Sequence, residues 1–315
     1  MPWDEPTTLT VVICCYSDAR WGTLCLAVSS VRDQHRAPDE LILVVDHNPS
    51  LLARARDAFP RATVIPNEFE AGLSGSRNAG VLHATGDVIG FLDDDAVAPP
   101  HWCDTLLHAY DTRVAAVGGA AVPAWRGEAP TWLPAEFSWV VGCSWQGLPT
   151  TASPVRNLIG TNMSVRRDVL REVGAFATSV GRVGSALTGC EETELCIRIR
   201  QRWPEAVILY LPELTVDHHQ TPERAQISYF ARRCWSEGRS KARIAQLVGT
   251  ARGLESERRH ATRVIPAAFA RACRDAARFR RGAWGRMAAL SSGLLLTGGG
   301  FVFGRAHQLG RRHHE

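Results

Sequence analysis

Val88-Ile89-Gly90-Phe91-Leu92-Asp93-Asp94-Asp95 is the stretch on which the fold reading turns: an uncharged run passes directly into three consecutive aspartates. A short apolar run of this kind, opened by Gly86-Asp87, reads as a strand buried on both faces. The aspartates then fall at the strand's carboxyl end, which in an open α/β sheet is where ligands bind. Three adjacent carboxylates repel one another unless a cation offsets them, and hard oxygen ligands suit Mg2+ or Mn2+. A solvated acidic turn is the other reading of the same triplet; its place directly after a buried strand favours the metal.

Working outward, Leu9–Cys15, residues 41–45 and residues 62–65 read as three further apolar strands, the last ended by Pro66-Asn67. Between them, Trp21–Arg32 carries Leu24, Val28 and Val31 at helical spacing, and residues 51–59 and 73–84 read as helices. Apolar strands alternating with helices predict an α/β, doubly wound, mainly parallel sheet with helices on both faces. Right-handed crossovers then set Cys15, Asp46, Asn67 and Asp93 along one rim. Residues 97–160 are less regular and hold Trp102, Trp125, Trp132, Trp139 and Trp145, which suit either a platform for an acceptor or core filling under a long loop. Downstream, residues 165–173 and Glu191–Arg202 read as helices and residues 206–211 as a strand. A helical, arginine-rich end region begins at residue 224.

The chain has 315 residues, 45% of them hydrophobic, enough for a sizeable core. Its net charge of +4 is uneven, with the basic excess near the C-terminus, and Lys241 is the only lysine. Arginine is the better partner for phosphate. The nine cysteines form no CxxC pair, which argues against a zinc knuckle or a redox pair. Met1-Pro2-Trp3-Asp4-Glu5 has neither part of a secretory signal, so reduced thiols and a cytoplasmic protein are expected.

Ahead of the central strand runs Asn67-Glu68-Phe69-Glu70-Ala71-Gly72-Leu73-Ser74-Gly75-Ser76-Arg77-Asn78-Ala79-Gly80. Its glycines and serines at a helix start suit backbone N–H groups meeting an anion, and Arg77 adds a cation one turn later. It is neither a P-loop nor a dinucleotide fingerprint, and an ordinary helix cap reads equally well from this stretch alone.

Taken with Cys15-Tyr16-Ser17, Val44-Val45-Asp46, Gly160-Thr161-Asn162-Met163-Ser164-Val165-Arg166-Arg167 and Gly189-Cys190-Glu191-Glu192-Thr193-Glu194-Leu195, these segments resemble family 2 glycosyltransferases of the GT-A fold over residues 8–242. The resemblance implies a catalytic domain over residues 8–245 and leaves 246–315 as a helical C-terminal appendage. It implies that Tyr16 and Asp46 stand by the nucleotide base, that Asn67, Arg77 and Asn78 support the nucleotide and its diphosphate, and that Asp93 and Asp94 lie near the ribose. Asp95 would bind the metal, with His218 or His219 as a further metal or diphosphate contact. Asn162 would line the sugar side, and Glu191-Glu192 would supply the general base. Two departures from the family pattern stand out: Cys15-Tyr16-Ser17 where threonine, tyrosine and asparagine are common, and Glu191-Glu192 in place of Glu-Asp.

The chemistry follows from those roles. A nucleotide-diphosphate sugar is the donor, and the charge developing on its leaving group needs Mg2+ or Mn2+. A carboxylate must take the proton of the acceptor hydroxyl. One base without a covalent nucleophile means inversion at the anomeric carbon. A sugar nucleotidyltransferase would want a glycine-rich loop where Tyr16-Ser17-Asp18-Ala19-Arg20 stands. A non-catalytic binder of anions or nucleic acid gives no reason for the acidic triplet and the second acidic pair; no nucleic-acid partner is expected.

Two expectations are specific. On a helix, Glu192 shares a stripe with Leu195, Cys196 and Ile199 and should point inward as the base, while Glu191, Glu194 and Arg198 should form a solvated polar face. The second concerns the end region. Residues 241–286 carry twelve basic side chains against Glu255, Glu257 and Asp275, and residues 287–304 carry no charge. This pattern suits a monotopic contact with an anionic membrane surface and a lipid-linked acceptor, with Gly293, Gly298, Gly299 and Gly300 weakening the apolar helix. A soluble helical hairpin is the other reading.

Overall fold

The computed structural model describes residues 3–180, 189–249 and 255–312. These fall into two compact units: one takes the chain up to Val122, resumes at Pro149 and includes Glu191–His219, and the other takes Pro123–Leu148, Gly189-Cys190 and the chain from Gln220 onward.

In the first unit β1 (Leu9–Cys15), α1 (Trp21–Arg32), β2 (Glu40–Val45), α2 (Pro49–Ala58), β3 (Thr63–Pro66), α3 (Leu73–His83) and β4 (Val88–Asp93) follow in turn. The strands lie parallel in the order β3-β2-β1-β4. Val11, Ile13, Leu43 and Ile89 are fully buried, as strands covered on both faces require. Asn48 caps α2 by accepting from the Leu51 N–H, and Pro49 fills the first helical position, where no N–H is needed. Gly72, at φ 130°, turns the chain into α3 and donates its N–H to Asp46 Oδ2. Cys14 lies opposite Asp93, Cys15 opposite Val45, and Val45 opposite Pro66. The carboxyl ends therefore share one rim, as the crossover rule required.

Beyond β4 the sheet turns antiparallel. Its further elements are β5 (Ala96–Val97), α4 (Trp102–His108), β6 (Val114–Trp125), β7 (Ser153–Pro154), β8 (Asn162–Arg166), α5 (Arg167–Val173), α6 (Glu191–Arg202) and β9 (Val207–Gln220). β8 pairs antiparallel with β4 and β6, and β9 with β5 and β7. Of the longer strands, β6 is not legible in the sequence and β9 reads shorter than it is. β6 is rich in alanine and glycine, poor strand formers, yet its glycines are required: a Cβ on Gly119 would lie 1.9 Å from the Leu214 carbonyl. β9 was expected over 206–211, because Pro212 and the alternating polar residues after it read as a strand end. It continues to Gln220, with Leu214, Val216, His218 and Gln220 all facing inward. The helix expected from residue 165 begins at Arg167, since Val165 belongs to β8.

The second unit holds a 3-10 helix (Ala135–Val141), α7 (Ile227–Val248), α8 (Glu255–Arg259), a π-helical turn (His260–Val264), α9 (Ile265–Ala277) and α10 (Ala283–Arg312). Phe137, Val140, Tyr229, Phe230 and Leu290 anchor its apolar core, and Trp125, Trp132 and Trp139 pack against it. Trp102 is fully buried in the first unit. For these tryptophans core filling is the reading the structure bears out. α10 runs unbroken through its glycines, against the expectation of a weakened helix. The reason is close packing on α7: a Cβ on Gly300 would lie 2.2 Å from the Trp235 carbonyl, and one on Gly238 would lie 2.1 Å from that of Thr297.

Candidate active site at the carboxyl rim

β4 delivers the aspartates to the rim, and each meets a different partner. Asp93 accepts a hydrogen bond from Thr161 Oγ1 at 2.8 Å and faces Arg77 Nη2 at 3.4 Å. Arg77, 2% exposed, donates to Glu191 Oε1 at 3.0 Å and to the Gly160 carbonyl at 3.0 Å. Asp94 pairs with Arg20 at 2.6 Å, and its second oxygen is buried without a hydrogen-bond partner. Asp95 stands 3.2 Å from Arg20 and 3.0 Å from His218 Nε2.

His218 reaches Asp95 across 123 residues of sequence because the two-residue strand β5 pairs with β9, Ala96 opposite His218. The His219 N–H donates to the Asp95 carbonyl at 2.7 Å, closing the same pairing. Strand alternation buries His218 and sends the His219 side chain to the other face. Asp93, Asp95 and His218 thereby offer ligand atoms within 4.8 Å of one another.

The carboxylates of Asp93, Asp94, Asp95 and Glu191 crowd the guanidiniums of Arg20 and Arg77 at this rim. Burial, and then the Asp95 charge, push the Asp94 carboxyl up to about 7, against the pull of Arg20. Burial disfavours the Arg20 charge, but Asp95 and Asp94 outweigh it and hold the guanidinium more firmly protonated. Burial pushes the Cys15 thiol up, out of the range of a thiolate nucleophile. Two carboxylates with an imidazole fit Mg2+ or Mn2+.

Other residues named from the sequence are placed differently. Tyr16 is exposed at the rim, with the Arg20 guanidinium 5.4 Å from its ring centre. Asp46 accepts from Asn67 Nδ2 at 2.7 Å and from the Gly72 N–H, so these two residues brace the turn after β2. Asn78 exchanges two hydrogen bonds with the Phe176 backbone. Asn162, expected on the sugar side, is 0% exposed; its amide holds Trp102 Nε1 and the carbonyls of Ala120 and Leu214. The start of α3, read as an anion cradle, is packed: Ser74 donates to the Val180 carbonyl, and Gly75 lies against that of Glu70.

The acidic pair at the start of α6 also needs correction. Glu191 and Glu194, assigned to a solvated face, are each 4% exposed, while Glu192 is half-buried. The polar stripe turns inward because arginines pair with it: buried Arg77 meets Glu191, and half-buried Arg198 meets Glu194 at 2.6 Å. Arg20 went unnoticed in the sequence. The one available signal was its place in the loop after β1, which opens on the same rim.

The glycosyl transferase family 2 profile matches residues 10–174. A glucosyl-dolichyl phosphate glucuronosyltransferase of Haloferax volcanii is 37% identical over 238 residues, 74% of this chain and 76% of that protein. Succinoglycan biosynthesis protein ExoM of Rhizobium meliloti is 26% identical over 250 residues, 76% of either chain. Among solved structures, a mannosyltransferase from Pyrobaculum calidifontis in complex with GDP-Man and Mn2+ aligns with a TM-score of 0.60 at 17% identity, covering 94% of this chain and 90% of that one. GalNAc-T7 with UDP, GalNAc and Mn2+ aligns with a TM-score of 0.51 at 18% identity over 74% of this chain, which spans 48% of it. The chain belongs to glycosyl transferase family 2 and is a glycosyltransferase with a GT-A-like α/β fold.

Proposed function

We propose that this glycosyltransferase moves a sugar from a nucleotide-diphosphate donor to an acceptor hydroxyl, with inversion, using Mg2+ or Mn2+. The observation that carries this reading is the convergence of Asp93, Asp95 and His218 at the rim. Asp95 and His218 would hold the cation, with Asp93 in reach. When bound, the cation supplies positive charge against the departing diphosphate. Arg77 fixes Glu191 and Asp93 in one frame, joining the start of α6 to the end of β4. Glu191 is committed to that guanidinium. Its half-buried neighbour Glu192 is the base that takes the acceptor's proton. With no covalent nucleophile among these groups, attack is direct and the anomeric centre inverts.

The Haloferax relative, whose name specifies a glucosyl-dolichyl phosphate, supports a lipid-linked acceptor, as in glycolipid or cell-envelope polysaccharide synthesis. Such an acceptor sets the enzyme to work at the cytoplasmic face of a membrane. The test is a panel of nucleotide sugars screened by thermal shift with and without Mn2+, since a bound ligand raises apparent stability. The stabilising donor is then used for transfer to lipid-phosphate-linked sugars, with the product's anomeric configuration read by NMR. A retained configuration, or full turnover in excess EDTA, refutes the mechanism.

A further inference from the structure

Three features of the second unit go beyond sugar transfer. First, the turn between α9 and α10 holds Phe279 out with 93% of its surface exposed, on a left-handed backbone of φ 53°. A left-handed aromatic residue is uncommon, and a fully solvated ring gains nothing from the fold itself. Arg278, Arg280 and Arg281 flank it, all exposed, with Asp275 as the nearby counter-charge, paired to Arg280 and Arg286. Secondly, α10 presents an uncharged outward line. Trp284, Leu295 and Val302 are 69%, 75% and 67% exposed and fall on one face at helical spacing. From Trp284 to Ala306 no exposed residue of this helix is charged. Thirdly, the opposite face of α10 is the close-packed seam on α7, with Gly293, Gly300 and Gly304 turned inward. α7 exposes Arg232, Arg239 and Arg243.

From these features we infer that the Phe279 turn and the outward face of α10 form a monotopic docking surface for an anionic lipid bilayer, which the chain touches without crossing. An apolar line beginning beside a cluster of arginines matches a bilayer interface, where acyl chains lie beneath anionic headgroups. Over Ala283–His307, α10 is long and apolar enough to span. The seam forbids it: α10 cannot enter hydrocarbon without α7, and α7 would carry its exposed arginines in with it. The surface gives the lipid-linked acceptor proposed above its setting and rests on that reading only for its purpose.

The test is flotation of the full chain with phosphatidylcholine vesicles, with and without phosphatidylglycerol. The protein should float with the anionic vesicles, be released by alkaline carbonate, and bind less at high salt. Phe279→Asn with Trp284→Gln should lower vesicle partitioning by about tenfold or more; asparagine tolerates the left-handed backbone. Leu295→Gln with Val302→Gln should do the same from a separate part of the line. All these side chains are exposed, so thermal unfolding should be unchanged. Failure to float with anionic vesicles, variants that float like the parent, or resistance to carbonate would each overturn the inference. So would self-association abolished by the same variants without any vesicle binding. Thermal shift with nucleotide sugars on the same variants keeps the two proposals apart: lost flotation with donor binding kept refutes only the surface, and flotation without any donor binding refutes only the transfer reading.

Discussion

The two units bury charge in opposite ways. At the rim of the first, the carboxylates of Asp93, Asp94, Asp95 and Glu191 crowd Arg20 and Arg77, and one oxygen of Asp94 has no hydrogen-bond partner among the described residues. In the second, Glu237 is ringed by Arg233 at 2.8 Å and Lys241 at 3.4 Å, Lys241 also meets Glu257 at 2.8 Å, and Glu136 meets Arg271. One cluster sets carboxylate beside carboxylate, and the other alternates acid with base. Buried charge that serves only the fold is expected to be neutralised internally. Crowded carboxylates, with Asp94 pushed up to about 7, are what a functional site carries instead.

The largest expected effect tests that difference directly. Asp95→Asn should lower turnover by at least about a hundredfold and abolish Mn2+ binding measured by calorimetry. Metal-free stability in urea should stay within roughly 1 kcal/mol of the parent. Unfolding of this variant would make the rim carboxylates structural and erase the contrast.

Next, Glu192→Gln should cost about a hundredfold or more in transfer with donor affinity kept. Glu191→Gln should lose less transfer but weaken the fold, since it leaves Arg77 short of a buried partner. Initial rates and thermal shift on both variants decide it; equal transfer by Glu192→Gln and the parent would remove Glu192 as the base.

In the second unit Glu237→Gln should destabilise by about 3 kcal/mol, because two buried cations lose their shared anion. Burial alone would raise the Glu237 pKa, but Arg233 and Lys241 hold it below the ordinary 4.5. The folded state therefore binds this proton more weakly than the unfolded one. The contribution is complete at neutral pH, declines as pH falls below about 4.5, and is gone beneath the folded value. Urea midpoints of parent and Glu237→Gln should converge in acid; a constant gap would assign the effect to packing.

The smallest effect sharpens the picture of α10. Gly300→Ala forces a methyl against the Trp235 carbonyl and should cost about 1–3 kcal/mol. Gly298, with nothing within 4 Å of its Cβ position, should gain about 0.5–1 kcal/mol on replacement by alanine. Equal responses at the two positions would mean that the seam is not close-packed in solution.

The parallel half of the sheet was readable because its strands are continuous apolar runs whose carboxyl ends must share a rim. The aspartates stand out on that basis, Arg77 at the glycine- and serine-rich start of the preceding helix, and the acidic pair only through the family resemblance. What escaped depends on partners distant in sequence. Glu191 was sent to solvent because its stripe is polar, and only the fold brings Arg77, 114 residues away, to meet it. The family resemblance sets Asn162 on the sugar side, whereas its amide joins two strands and a tryptophan inside the core. Arg20 belongs to a loop without periodicity, and the glycines of α10 mean weakness or close approach according to what lies across from them.

The short pairing of β5 with β9 bears on the order of assembly. His218 reaches Asp95 only after a strand more than a hundred positions later has been laid on the sheet, and contacts of such long sequence separation carry a large loop-closure entropy. During synthesis the aspartates leave the ribosome long before the histidine. A chain still growing at residue 200 has the parallel half of its sheet available but lacks the imidazole. On the proposed metal reading, tight cation capture would be a property of the finished first unit, and an ion held there would stabilise the sheet's last-added edge.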